Sequence, residues 1–234
     1  VSRMRSTEPN RLRGLRIWTE VSVNVHQKRV VIVGASAAGL RCACRLRRLQ
    51  PSWPITVVEA GEVFSYAACG LPYVLSGDIE ELAALRRTPY GAERDREFFV
   101  AAKGVEILAG CRATGVDPGA RILRVEGPEG ARELAWDELV LATGARPRRL
   151  PGQPEHPRVH TFHSWDEVKP LKLGLMRGEI GHVAVVGAGL VGCEVVEAFR
   201  SLWGADVTLI EAAASPLAEL LDPELGVVVA RHLE

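Results

Sequence analysis

The sequence has no net charge: 29 Lys and Arg stand against 29 Asp and Glu. Without a global field of either sign, nothing draws the chain towards nucleic acid or an anionic membrane surface, and neither partner is expected. Nor does it contain an apolar run long enough to span a bilayer. Cysteines are few, odd in number and scattered: Cys42, Cys44, Cys69, Cys111 and Cys193. In a chain of 234 residues, large enough to bury one sizeable core or two smaller ones, that pattern excludes a disulfide framework. It suits a reducing compartment, so a cytoplasmic location is expected. Residues 1–27 have no apolar signal-peptide core and are dominated by Arg3, Arg5, Arg11, Arg13 and Arg16. Glu8 and Glu20 speak against a transit peptide. This stretch reads as a disordered or extraneous extension outside the fold.

What is present is one phosphate-binding device, twice. Residues 29–33, RVVIV, form a β-branched run suited to a buried parallel strand, and a small-residue turn and a helix follow. Gly34 and Gly39 occupy the first and third positions of a G-x-G-x-x-G pattern, with Ser36 at the second and Ala37 beside it. The first glycine permits a tight turn, and the third lets helix and strand pack closely. The helix N-terminus then turns free N–H groups and a positive dipole end towards a pyrophosphate. A second strand, 55-ITVVEA-60, ends on Glu59, about twenty residues further on, where an acid accepts ribose hydroxyls.

The second copy, 182–212, is unbroken: Gly187, Gly189 and Gly192, with Leu190 and Val191 between. The expected elements are a strand at 183–187, a helix to about Leu202 with Gly204 at its C′ position, and a strand at 207–212. Glu211 is the acid of this copy. No arginine follows it directly, which favours NADH over NADPH because a 2′-phosphate would be repelled. Exchanging Glu211 for Arg should then move the preference towards NADPH.

Two further stretches lie between and around these devices. At 138-ELVLATGARP-147 a short strand meets a Thr-Gly turn, and the small residues Ala142, Thr143 and Gly144 would let a ligand approach the backbone. In 64-FSYAACGLPYVLSGD-78 the single Cys69 lies in a small, apolar run where Gly70 and Pro72 demand a turn. Either this thiol packs as a small hydrophobe or it reacts as a thiolate.

Together, in order, VVIVGASAAG, VVEAG, SYAACGLPY, LVLATGARP and VAVVGAGLVGCE resemble the FAD-dependent pyridine nucleotide-disulfide oxidoreductases. The single-cysteine CGLPY form is similar to the branch holding coenzyme A-disulfide reductases, persulfide reductases, NADH oxidases and NADH peroxidases. The resemblance runs from about Lys28 to Glu234. It implies FAD at the first site, NAD(P)H at the second, and Cys69 beside the flavin as the catalytic thiol. Other branches carry two cysteines four residues apart, whereas 64–68 contain none, so the redox partner of Cys69 is a substrate sulfur or an oxygen atom. A CoA-type substrate is implied by Ser65 and by Arg48, which match family positions. Arg41, Arg45 and Arg48 share one helix face. The bland reading of that face is a solvated basic stripe, and an NADH oxidase or peroxidase cycling through a sulfenate is the alternative activity.

Ala68 stands where the family often has asparagine, and Leu190 where many members have tyrosine. Family members also continue past the position of Glu234 into the rest of the NAD domain and a dimerisation domain. The expectation is therefore a truncated chain, with a homodimer for the full-length protein and a non-catalytic nucleotide-binding fragment as the rival. The expected fold is α/β: an FAD-binding Rossmann-like domain over 28–150 with a small antiparallel excursion near 104–136, a connection over 151–181, and an incomplete NAD(P)H-binding Rossmann domain over 182–234. Cys42, Cys44 and Cys193 read as packing residues. His156, His160 and His163 lack the accompanying acid or cysteine cluster of a metal centre, so no metal is expected. Phe98 and Phe99 read as the start of a strand-and-turn region through Val125.

Overall fold

The computed structural model describes residues 27–234; the expectation for the N-terminal extension lies outside them except at Gln27. Strand β1 (Val30–Val33) is buried along its whole length and forms the centre of a parallel sheet. Helix α1 (Ala37–Leu49) follows the glycine turn and buries Gly39, Leu40 and Ala43. Strand β2 (Ile55–Val58) pairs in parallel with β1, Val30 opposite Ile55. A short 3₁₀ turn (Ala68–Gly70) then leads into helix α2 (Leu71–Ser76), with Pro72 in its first turn, where a missing N–H costs nothing.

Phe98 and Phe99 do not open a strand. They lie in a π-type helical segment (Phe98–Ala102) whose Phe98 N–H donates to Asp95 Oδ1 at 2.8 Å. Strand β3 (Glu106–Leu108) comes next and belongs to the parallel sheet, beside β2. The antiparallel excursion therefore begins later than expected, with β4 (Arg112–Asp117), β5 (Ile122–Gly127) and β6 (Gly130–Ala135) in one three-stranded sheet. Strand β7 (Glu138–Leu141) returns to pair with β1, giving the order β3-β2-β1-β7.

The two-residue period of β1 divides its burial between two layers. Val30 and Ile32 pack with Leu40 and Ala43 of α1. Val31 and Val33 pack with Leu123 and Val125 of the antiparallel sheet. Both faces are covered, which is why a continuous apolar run, rather than alternation, marks this strand.

The proline-rich connection also holds a helix, α3 (Trp165–Met176), with Pro170 inside it. Beyond it come β8 (His182–Val186), α4 (Leu190–Ser201), β9 (Asp206–Ile210) and α5 (Pro223–Leu233); β8 and β9 pair in parallel, Val183 opposite Val207. Gly204 takes a left-handed φ of 60°, but two residues past the C-cap Leu202 rather than directly after it. A third core joins Leu75 of α2 to Leu171, Leu175, Val195, Ala198, Phe199 and Ala205. Among the described residues, no helix is long and apolar enough to cross a membrane.

Candidate nucleotide and thiol site

The two glycine loops are near copies. Gly34 and Gly187 turn at φ values of 108° and 100°, a region that a side chain makes costly. A Cβ on Gly39 would lie 1.8 Å from the Gly34 carbonyl oxygen, and one on Gly192 would lie 1.9 Å from that of Gly187. The third glycine of each loop is thus required by contact between helix and strand. At Gly189 an added Cβ would meet nothing within 4 Å, so the backbone is open where a ligand would approach. Ser36, at the equivalent position of the first loop, is exposed together with Ala37, and Leu190 and Val191 are exposed beside Gly189.

The helix ends behind these loops fit an anionic group. Neither α1 nor α4 has a side-chain cap, and neither has an acid in its first turn. Their first N–H groups therefore have no intrahelical acceptor. Helix α3 is the contrast: Glu167 reaches back to accept the N–H of Ser164 at 2.8 Å and that of His163 at 2.9 Å. A pyrophosphate would satisfy at α1 and α4 what a carboxylate satisfies at α3.

Both strand-end acids close onto their own loops. Glu59 accepts the Ala35 N–H at 2.7 Å and the Gly61 N–H at 2.9 Å. Glu211 accepts the Ala188 N–H at 2.6 Å and the Ala213 N–H at 2.8 Å. Bonds from Ala213 and then Ala188 hold the Glu211 carboxyl below the ordinary glutamate range, so it is ionised at neutral pH. Each oxygen keeps a second lone pair for a ribose hydroxyl. The pattern of residue types held no sign of this loop-closing role.

Ala142 lies directly against the first loop. Its N–H donates to Val33 O at 2.8 Å, and a Cβ on Gly34 would lie 2.2 Å from its carbonyl oxygen. Thr143 and Gly144, with φ of 70° at Gly144, continue as exposed backbone beyond the carboxyl end of β7. Loops 34–39 and 142–144 thus meet at the carboxyl ends of adjacent strands, the usual place for a ligand in an open α/β sheet.

Cys69 is exposed, while the helix behind it is not: Leu71, Val74 and Leu75 are at most 1% accessible. A thiol used for packing would point the other way. The segment is also tied to the first loop, because the N–H of buried Ser65, at φ 59°, donates to Ala35 O at 3.0 Å. The remaining cysteines are less accessible: Cys111 is buried and accepts from Arg132 at 3.7 Å, and Cys42, Cys44 and Cys193 are half-buried, Cys193 donating to Ala188 O at 3.6 Å. Burial pushes the Cys44 and Cys193 thiols up, away from the thiolate.

Arg41, Arg45 and Arg48 are exposed along α1, and none enters an ion pair among the described residues. Arg47, off that stripe, is structural and donates to Pro51 O at 2.6 Å and Gly104 O at 2.5 Å. No group of three or more His, Cys, Asp or Glu converges among the described residues.

Residues 28–234 match the family model described as pyridine nucleotide-disulphide oxidoreductase. The chain is 31% identical to a CoA-dependent NAD(P)H sulfur oxidoreductase of Pyrococcus abyssi, over 89% of this chain and 45% of that one. To an NADH oxidase of Methanocaldococcus jannaschii it is 29% identical, over 88% of this chain and 45% of the relative. Among solved structures, an NAD-dependent persulfide reductase from A. fulgidus superposes with a TM-score of 0.84 at 37% identity, covering 88% of this chain and 38% of that chain. The chain thus spans less than half the length of these relatives.

Proposed function

This chain belongs to the pyridine nucleotide-disulphide oxidoreductases, and from that membership we propose that it passes electrons from NADH through FAD to Cys69 and on to a CoA-disulfide or CoA-persulfide. The observation that carries the reading is the exposed Cys69, tethered through the Ser65-to-Ala35 hydrogen bond to the first glycine loop. In it, Gly34, Ser36, Ala37, Gly39, Glu59 and Ala142–Gly144 hold FAD, which supplies the two-electron relay when bound. Gly187–Gly192 and Glu211 hold NAD(P)H, with NADH preferred. The uncapped N-termini of α1 and α4 receive the pyrophosphates.

The Cys69 thiolate attacks one sulfur of the substrate S–S bond. That bond breaks, the other sulfur leaves as a thiolate, and a mixed disulfide forms on Cys69. Two electrons and one proton, the equivalent of the hydride that NADH gives up, return Cys69 to the thiolate and release the second product as its thiol. Arg45 and Arg48, with Arg41, give an acyl-carrier nucleotide its cationic contact along α1, and Ser65 fixes the turn that presents the thiol. A homodimer is proposed for the full-length protein.

The NADH oxidase of M. jannaschii supports a second reading, in which Cys69 cycles through a sulfenate. A purified protein without bound flavin would support the rival of a non-catalytic nucleotide-binding fragment. The test is Cys69→Ser in the FAD-loaded protein. NADH oxidation that depends on CoA-disulfide should be lost, while NADH binding and thermal stability stay near wild type because the side chain is exposed. Disulfide reduction at the wild-type rate by the variant removes Cys69 from the reaction. Peroxide turnover without disulfide turnover in the wild type would favour the oxidase or peroxidase reading.

A further inference from the structure

The second nucleotide site has an acid but no cation of its own. From His182 to Asp222 the only Lys or Arg is Arg200. It lies in the last turn of α4, about 15 Å along the helix from the end that faces the ligand. A dinucleotide brings two negative charges on its pyrophosphate, and NADPH adds a 2′-phosphate beside Glu211. Glu211 cannot swing aside, since both its oxygens are held by backbone N–H groups.

A cation reaches this corner from the connecting segment. A cavity of about 390 Å³ at the carboxyl ends of β8 and β9 is lined by Arg148 and Leu150 on one side and by Gly187, Ile210, Glu211 and Ala212 on the other. A larger cavity of about 1560 Å³ runs along the glycine loop, and Arg148 lines that one too. Arg148 is exposed and has no hydrogen-bond or ion-pair partner among the described residues. Gly189 and Gly192, where the pyrophosphate would lie, line only the larger cavity, whereas Arg148 and Glu211 line both, so Arg148 shares the smaller cavity with the acid of the ribose end. A guanidinium fork suits a phosphate there better than a hydroxyl.

We infer that Arg148 is a specificity residue of the second site: Glu211 takes the 2′-hydroxyl of NADH, and Arg148, across the same cavity, takes the 2′-phosphate of NADPH. The inference rests on reading the second loop as an NAD(P)H site. It lets the site take NADPH beside the NADH that Glu211 favours, through a residue outside the βαβ unit itself.

The test is direct titration of the chain with NADH and NADPH, with 5′-ADP and 2′,5′-ADP as competing probes, in wild type, Arg148→Ala and Arg148→Lys. Arg148→Ala should weaken NADPH and 2′,5′-ADP relative to NADH and 5′-ADP by about tenfold or more. Arg148→Lys should recover part of that ratio, and salt should narrow it. Equal weakening of both nucleotides, or none, overturns the assignment while leaving the second site in place. Failure of the wild type to bind either nucleotide removes the site and the assignment together.

Discussion

Trp203→Phe probes the joint between the thiol helix and the nucleotide helix. Helix α2 begins two residues after Cys69, and α4 begins in the second glycine loop. At their far ends the Trp203 indole N–H donates to Leu75 O at 2.6 Å. Leu75 is fully buried, and its carbonyl is in the last turn of α2, where no intrahelical donor is available. Phenylalanine keeps most of the apolar contact but strands this carbonyl, which costs about 1–3 kcal/mol. In a chain of this size that lowers Tm by roughly 2–4 °C per kcal/mol. Trp136 provides the control. Its indole nitrogen is buried without a protein acceptor, so Trp136→Phe removes the same ring without breaking a hydrogen bond. Urea unfolding of both variants separates the hydrogen bond from the ring. Equal destabilisation of the two, within about 0.5 kcal/mol, would refute the role given to the Trp203 bond.

Gly192→Ala must push the α4 N-terminus off β8, because its Cβ would lie 1.9 Å from Gly187 O, whereas Gly189→Ala meets nothing; the first should cost about 2–4 kcal/mol in denaturant melts and the second should spare stability but weaken nucleotide binding. Glu167→Ala removes the acceptor of three donors, Thr161, His163 and Ser164, and should cost about 1–2 kcal/mol, read from the helical signal on unfolding. The Asp137 carboxyl is held down from 3.8 to about 2 by the Arg29 side chain and then by its backbone N–H. A depressed acid stabilises above its ordinary pKa and loses that contribution as pH falls through the lower value. The protection factor of the Arg29 amide, its exchange rate taken relative to the unprotected rate at the same pH, should therefore hold above pH 3.8 and fall towards pH 2.

The nucleotide loops were legible because their residues answer backbone demands that few others can meet. Gly34 and Gly187 need positive φ, and Gly39 and Gly192 need the absence of a Cβ. Positions set by packing between distant segments left weaker traces. Strand β3 is three residues long, too short to show a period, so its place in the parallel sheet leaves no sequence signal. Two phenylalanines in succession fit a strand at 98–99 as well as a helix; Asp95, three residues ahead and accepting the Phe98 N–H, is the sequence sign of a helical turn. Pro170 and the prolines before it masked α3, although 164-SWDE-167 carries the S-x-x-E spacing of a helix start. That the 3₁₀ turn leaves Cys69 exposed while α2 seats Leu75 in the third core follows from tertiary contacts alone.

Glu59 and Glu211 make the same pair of contacts twice, and this changes what a substitution at Glu211 can reveal. Each carboxylate holds the residue after the first glycine, Ala35 or Ala188, and the residue two beyond itself, Gly61 or Ala213. The acid is therefore part of the loop as well as the partner proposed for ribose. Arginine accepts no hydrogen bond, so Glu211→Arg leaves the Ala188 and Ala213 N–H groups without their acceptor while it reverses the charge. A shift towards NADPH would then be mixed with a change in the loop itself. Arg148 has no such double role, because it makes no hydrogen bond or ion pair among the described residues and stands on a separate segment. On the proposed assignment, cofactor preference and loop geometry are separable at position 148 and inseparable at 211. The difference comes from where each side chain's hydrogen bonds go, since the charges alone would have made 211 the natural place to alter specificity.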